Sequence, residues 1–240
     1  MTPLGPVDWK RFSGIFDDLS LPENFFHRAE RYLAALAEVN AALNLVAFDP
    51  RREGPAHVVD SLRTLGAIPA DAHAVIDVGT GGGFPGLPVA LARPDLRVVL
   101  LDSLRKKQAA VAGLAVAVGA GNAEALWGRA EDLGRDVNHR EAYDVALCRA
   151  VGRLPTVLEL TLPLVRVGGR CVLHRGQEAP QEVSAAVPKL ADLGARLVGQ
   201  IAYRLPGNDH DRFIVCIEKS DQIDIRFPRR SGVPAKRPLW

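Results

Sequence analysis

One stretch constrains this chain more than any other: Asp77-Val78-Gly79-Thr80-Gly81-Gly82-Gly83-Phe84-Pro85-Gly86. It follows a short apolar run, Ala74-Val75-Ile76-Asp77-Val78, and precedes a segment of helical composition, Pro85 to Ala92. A strand that breaks into glycines and reopens as a helix is the strand–turn–helix unit of parallel α/β sheets. In such sheets ligands sit at the carboxyl ends of the strands, where strand order reverses. Glycine there allows a ligand close to the backbone.

Two ligands compete for the loop. Gly81, Gly83 and Gly86 fit G-x-G-x-x-G, the dinucleotide fingerprint. Asp77, Gly79, Gly81 and Gly83 fit D-x-G-x-G-x-G, a loop suited to S-adenosylmethionine. A pyrophosphate needs N–H donors at the helix start, and Pro85 removes one. S-adenosylmethionine carries no phosphate and loses nothing. The Asp77 carboxylate would repel a pyrophosphate and attract the cationic methionine end, directly or through water. Asp102, which ends the run Val98-Val99-Leu100-Leu101, is placed to accept both ribose hydroxyls or to cap the helix opening at Ser103. Ala130 and Glu131, after the third run, fall where an adenine amino group would arrive.

The remaining chain supports the same class. Arg97 to Asp102, Ala123 to Trp127, Asp144 to Arg149 and Arg170 to His174 are short Val- and Leu-rich runs. Helical stretches separate most of them: Ser103 to Val118, Leu154 to Val165 and Glu178 to Leu193. Alternation of this kind predicts a parallel sheet covered on both faces. Arg196 to Leu205 and Arg212 to Lys219 flank a turn too short for a helix, so they predict an antiparallel hairpin at the sheet edge. Five parallel strands plus a hairpin is the count of the Rossmann-like class I S-adenosylmethionine-dependent methyltransferase fold. The N-terminal part reads as helical. Asp8 caps a segment carrying Trp9, Phe12, Phe16 and Leu19, and Ser20-Leu21-Pro22-Glu23 reads as a capping box opening a helix to about Asn44. Three parts are expected: a helical region over 1–66, the α/β domain over 67–220 and a basic tail over 221–240.

The formal net charge of +2 conceals an asymmetry. Arg226, Arg229, Arg230, Lys236 and Arg237 lie in the last fifteen residues, which contain no acid. Such a tail suits a polyanionic partner. Pro and Gly between the charges suit an extended strap, either over RNA phosphates or pinning the sheet edge with Leu239 and Trp240 docked on the body. Cys148, Cys171 and Cys216 sit in apolar runs without metal-ligand spacing, so they read as reduced core residues of a cytoplasmic protein and no metal is expected. No apolar run is long enough to cross a membrane. Met1 to Pro6 has no basic start followed by an apolar core, so no secretory leader is expected.

With these motifs in view, the chain resembles the RsmG (GidB) family, which methylates N7 of a guanine in bacterial small-subunit (16S) ribosomal RNA. The residues that carry the resemblance are Asn44-Leu45-Val46, His57-Val58-Val59-Asp60-Ser61-Leu62, Asp77 to Gly86, Leu101 to Lys107, Arg129-Ala130-Glu131, Arg149-Ala150 and Pro228 to Leu239. The resemblance implies S-adenosylmethionine as cofactor. It implies cofactor contacts at Gly79, Phe84, Asp102, Ser103, Leu104, Ala130, Glu131 and Arg149. It also implies basic positions near the reaction centre at Lys106, Arg129, Arg149 and Arg212, and Asn44 beside the cleft. The partner would be small-subunit rRNA or the 30S subunit, met by a monomer. Gly82 stands where a larger residue is common, which would loosen the loop.

Chemistry at the end of the fourth strand is expected to need no general base. Leu147-Cys148-Arg149-Ala150 is not the Asn/Asp-Pro-Pro-aromatic motif used on exocyclic amines, and Cys148 lacks the preceding Pro of a pyrimidine-attacking nucleophile. Guanine N7 offers a lone pair and carries no proton, so alignment in a dry pocket suffices. Arg149 is the candidate for positioning the cofactor and the guanine edge, with a salt bridge to Asp144 or Glu131 as the purely structural reading. Lys106, Lys107, Arg129, Arg212, Arg229, Arg230, Lys236 and Arg237 are the candidates for RNA contact. His57, Asp60 and Ser61 do not make a hydrolytic triad and are expected to tie the helical part to the sheet near the cleft. Two other readings fit the loop: a small-molecule methyltransferase, and a non-catalytic rRNA-binding assembly factor that retains the cofactor.

Overall fold

The computed structural model describes residues 7–240; Met1 to Pro6, on which the expectation about a leader rests, lie outside the described residues. A short 3-10 turn (Trp9–Phe12) leads into α1 (Ser13–Phe16), then come α2 (Phe25–Leu43) and α3 (Gly54–Leu62). The sheet unit follows as β1 (Ala74–Val78), α4 (Gly86–Ala92), β2 (Arg97–Asp102), α5 (Arg105–Ala117), β3 (Ala123–Trp127), α6 (Ala130–Leu133), β4 (Tyr143–Arg149), α7 (Leu154–Thr161), β5 (Val165–Arg175), α8 (Ala179–Leu190), β6 (Ala195–Tyr203) and β7 (Arg212–Lys219). A last turn of helix, α9 (Val233–Lys236), lies in the tail.

The seven strands run in the order β3-β2-β1-β4-β5-β7-β6. All pairings are parallel except those of β7, which is antiparallel to both β5 and β6. The chain builds outward from β1 to β3, returns to place β4 against β1, and builds the other way. The reversal point is therefore between β1 and β4, where the glycine loop and Arg149 both emerge. β1, β2 and β4 are buried along almost their whole length, as strands covered on both faces must be. The outer strand β6 alternates covered or half-buried with exposed positions through its first half.

Two hydrophobic clusters flank the sheet. One joins Phe12, Phe25, Leu33 and Leu36 of the N-terminal helices to Val75, Leu87, Val98 and Leu100. The other joins Ile76, Val99, Leu158, Leu173 and Ile217. Thus the N-terminal helices close one face of the sheet. The proposed capping box is not formed: Pro22 and Glu23 lie in a turn closed by the Phe25 N–H on the Pro22 carbonyl (2.9 Å), and α2 starts from Asn24 without a side-chain cap. Asp8 does accept from the Lys10 N–H, though it heads a 3-10 turn rather than one long helix. β5 begins at Val165, where helix was expected, because α7 stops at Thr161.

Candidate active site

The glycine loop closes on itself. Gly79, Gly81 and Gly83 all take positive φ. At Gly79 (φ +76°) a Cβ would lie 2.5 Å from Val151 Cγ2, so a side chain there is excluded both by conformation and by space. The Gly79 and Thr80 amides donate to the Leu101 carbonyl (2.9 and 3.0 Å), and those of Gly83 and Phe84 to the Thr80 carbonyl (2.8 and 3.0 Å). The Gly81 amide donates to Asp102 Oδ2 (3.1 Å) and the Gly86 amide to Asp77 Oδ2 (2.9 Å). Pro85 has none. These donors are already satisfied within the protein, so the loop offers little to a pyrophosphate. This decides between the two ligand readings in favour of a nucleoside without phosphate.

Asp77 braces the turn. It is fully buried behind the loop, where its Oδ2 accepts from Thr80 Oγ1 (2.7 Å) as well as from Gly86. Burial pushes its carboxyl up to about 6, against those two hydrogen bonds. Asp77 Oδ2 thus holds the turn, while its buried Oδ1 has no hydrogen-bond partner among the described residues. The expected looseness at Gly82 is corrected. A Cβ at Gly82 would lie 2.6 Å from Val46 Cγ1, and the Gly82 carbonyl accepts from Tyr32 Oη (2.7 Å) on α2.

Three adjoining cavities open at the carboxyl ends of the strands. The first, about 250 Å³, is lined by Gly79, Asp102, Ser103, Arg129, Ala130 and Glu131, with Val151 and Thr156 opposite. Asp102 accepts one backbone hydrogen bond on each oxygen, from Leu104 (2.8 Å) and Gly81 (3.1 Å), which leaves a lone pair on each for a ribose diol. The Gly79 cradle, the oriented Asp102 carboxylate and the phosphate-free loop fit S-adenosylmethionine. Leu104 is exposed and lies outside this lining.

The tail closes the same cavity, through Gly232 and Ala235. Glu131 accepts from the Gly232 amide (2.8 Å), so it is a buried anchor for the tail rather than a surface acid. Thr156 Oγ1 donates to the Pro234 carbonyl (3.0 Å). Arg229 forks onto Glu159 (Nη2 to Oε2 2.6 Å, Nε to Oε1 2.8 Å), a carboxylate with no exposed surface, and also donates to the Arg237 carbonyl. Arg229 is therefore corrected from an RNA contact to a fastening of the tail. The fastening is to α6 and α7 and not to the sheet edge, with Leu239 and Trp240 packed on the adjoining cluster. Arg230, Lys236 and Arg237 remain exposed, as do Lys106 and Arg129.

The second cavity, about 450 Å³, runs from the glycine loop past Phe84 to Leu45, Phe48, His57, Lys107, Arg149 and Arg212. Asn44 is not part of that wall; it ends α2 in the left-handed conformation. The third cavity, about 630 Å³, shares Arg149, Ala150 and Arg212 with the second and adds Asp60, His174, Arg175 and Tyr203. Ala150 holds φ +59°, a sparsely populated conformation for a residue with a Cβ, at the point common to both.

Asp60 organises this junction, and its role is the main feature that sequence reasoning missed. Only 1% exposed, it accepts from Tyr203 Oη (2.7 Å) and Arg149 Nη1 (3.0 Å) and forms an ion pair with Arg212 Nη1 at 3.1 Å, with His174 Nδ1 at 3.6 Å. Burial raises its carboxyl, but His174, the two guanidinium groups and the tyrosine outweigh this and bring it to about 2. Neither Asp144 nor Glu131 pairs with Arg149, which corrects its purely structural reading; Asp144 is held by Arg166. The Arg149 guanidinium also lies 4.9 Å from the Phe84 ring centroid and 3.4 Å from His57 Nδ1. Burial and Arg149 push His57 down to about 4, so it is neutral at pH 7. Ser61 Oγ donates to the His57 carbonyl (2.8 Å), so no triad forms. Cys148 is buried, its thiol pushed well up by burial and thus inert. Arg175 is held by Glu182 (2.6 Å).

Strand order, reversed hairpin and a phosphate-free nucleoside site together define a class I methyltransferase. Comparisons with known proteins agree. Residues 26–198 match the GidB family, described as rRNA small subunit methyltransferase G. The ribosomal RNA small subunit methyltransferase G of Pelotomaculum thermopropionicum is 39% identical over 221 residues, covering 91% of this chain and 92% of the relative. That of Gloeobacter violaceus is 43% identical over 212 residues, covering 88% and 84%. Among solved structures, an O-methyltransferase from Bacillus cereus in complex with SAH superposes with a TM-score of 0.58 at 19% identity, over 86% of this chain and 96% of that one, a likeness of fold. The chain belongs to the GidB family of small-subunit rRNA methyltransferases.

Proposed function

We propose that the protein transfers the methyl group of S-adenosylmethionine to N7 of a guanine in small-subunit rRNA, acting as a cytoplasmic monomer. The observation that carries the reading is the junction beyond β4, where two guanidinium groups flank the shared cavity and neither Asp60 nor His57, which they face, is suited to remove a proton. Asp60 is saturated by four partners and holds its charge at every ordinary pH. His57 takes up a proton only near pH 4 and is turned to Arg149 through Nδ1. Cys148 is buried. Methylation of an exocyclic amine or of a pyrimidine carbon calls for a base or a nucleophile, and guanine N7 calls for neither.

Bound S-adenosylmethionine supplies an electrophilic methyl on a sulfonium. The chain supplies the alignment. Asp102, Gly79 and Ala130 hold the nucleoside end. Phe84 and Arg149 form the wall between the cofactor and target spaces. Arg149 and Arg212, fixed at a common distance from Asp60, present N–H donors to the guanine O6 edge and leave N7 for the methyl group. Asp60 offsets one of the two positive charges, which moderates repulsion of the cation formed on the base. Exclusion of water by Phe84, Phe48 and the loop keeps N7 unsolvated.

The test is to incubate the protein with labelled S-adenosylmethionine and small subunits lacking the modification. Borohydride and aniline then cleave the RNA chain selectively at 7-methylguanosine. Cleavage at one guanine coincident with the label is expected. Label on an exocyclic amine or a pyrimidine carbon, or on small molecules instead of RNA, contradicts the proposal.

A further inference from the structure

Trp127 stands outside everything described so far. It is the last residue of the edge strand β3, in register with Asp102, and its indole is 55% exposed, the one aromatic among the large exposed hydrophobic residues described. A ring of this size left in water is uncommon unless something covers it. The indole is held in place: Nε1 donates to the Ser103 carbonyl (3.1 Å), and the Arg105 guanidinium lies 5.6 Å from its ring. Leu104, the residue after Ser103, is 54% exposed. Exposed Lys106 and Arg129 flank the patch, and none of Arg105, Lys106 and Arg129 makes an ion pair among the described residues. The cofactor cavity is next door, lined by Ser103, Gly128 and Arg129 but not by Trp127.

We propose that Trp127, with Arg105 over its ring, is a stacking platform for an unpaired RNA base other than the one methylated, and that Lys106 and Arg129 hold the phosphates on either side. The proposal rests on the RNA reading given above. Charge selects the occupant: an exposed indole ringed by uncompensated cations suits a polyanion whose units carry a flat π-face, and single-stranded RNA is such a ligand. Stacking tolerates any base, so the platform adds affinity and register while sequence choice stays with the junction at Asp60.

Tryptophan fluorescence tests this on the full chain, because Trp9 and Trp240 are half-buried elsewhere, beside Glu30 and Lys189. The protein is titrated with a mixed-sequence single-stranded RNA oligonucleotide and, separately, with nucleoside monophosphates. S-adenosylhomocysteine affinity is followed in parallel. Wild type should be quenched by the oligonucleotide at concentrations where monophosphates have no effect, and less so at high salt. Trp127→Phe should bind RNA with little loss and show no quenching. Trp127→Ala should bind RNA on the order of 10-fold more weakly with unchanged S-adenosylhomocysteine affinity. RNA binding by wild type without quenching, or equal affinity in Trp127→Ala, overturns the platform alone. Equal loss of cofactor affinity in Trp127→Ala also overturns it, since the ring would then be a prop for Ser103. No RNA binding by wild type overturns the platform and the RNA reading together.

Discussion

Asp60 converts two arginines that would otherwise repel one another into a fixed pair. Replacing it by Asn keeps the shape and removes the charge. Two half-buried guanidinium groups would then face each other across a neutral amide. Asp60→Asn should destabilise the fold by about 2 kcal/mol in urea unfolding and slow single-turnover methyl transfer on the order of 100-fold through misplaced arginines. S-adenosylhomocysteine affinity should change little, because Asp60 does not line that cavity. A full rate in Asp60→Asn would remove it from the mechanism. Arg149 was legible as a residue of the cleft from its place at the end of β4. Its partner was not: Asp60 lies 89 residues earlier, on a helix whose approach to β4 only the packed N-terminal cluster determines. Arg229 misled for a related reason, as a basic residue between Pro and Gly reads the same whether its counter-charge is RNA or a buried glutamate.

At the scale of elements, the tail forms one wall of the cavity beside Asp102. Arg229 on Glu159, Gly232 on Glu131 and Pro234 under Thr156 draw the segment across the nucleoside cavity. Its side chains Arg230, Lys236 and Arg237 face outward. Truncation after Phe227 should therefore weaken S-adenosylhomocysteine binding by 10-fold or more, as well as RNA binding, and should leave the carboxylates of Glu131 and Glu159 without their partners. Cofactor affinity equal to that of the full chain, measured by calorimetry, would show the wall to be dispensable. The strands were the most legible elements, since short Val- and Leu-rich runs covered on both faces have few alternatives. Helix starts were less so. Ser20 and Glu23 carry the spacing of a capping box, yet the turn before Phe25 takes its hydrogen bond from the backbone.

For the whole molecule, the buried histidines predict the response to acid. His57 and His174 titrate near 4 in the fold because burial disfavours their charged forms, whereas the unfolded chain takes up these protons near 6.5. Between those values the unfolded state binds more protons, so stability falls as pH falls from about 6.5 towards 4. Asp77, raised to about 6, works the other way over part of that range and offsets about one of the two histidines. Below pH 4, protonation of Asp60 removes a further contribution as pH approaches 2. Urea midpoints measured from pH 7 to 4 should decline; a flat or rising series would mean that the histidines are charged in the fold. The class of the sheet, the cofactor and the family were all legible from the glycine loop and its neighbours. The junction at Asp60 and the closure by the tail were not, because both join segments far apart in the chain.

Transfer without a general base is the central claim, and the pH dependence of a single turnover addresses it most directly. Small subunits lacking the modification are mixed with excess protein and labelled S-adenosylmethionine, and the rate of label transfer is followed from about pH 6.5 to about 8.5. Guanine N7 has no proton to lose and neither Asp60 nor His57 titrates in this window, so the rate should be level throughout. A rate rising tenfold per pH unit before a plateau would reveal a base that must first be deprotonated, and the account given for the junction at Arg149 and Asp60 would be wrong.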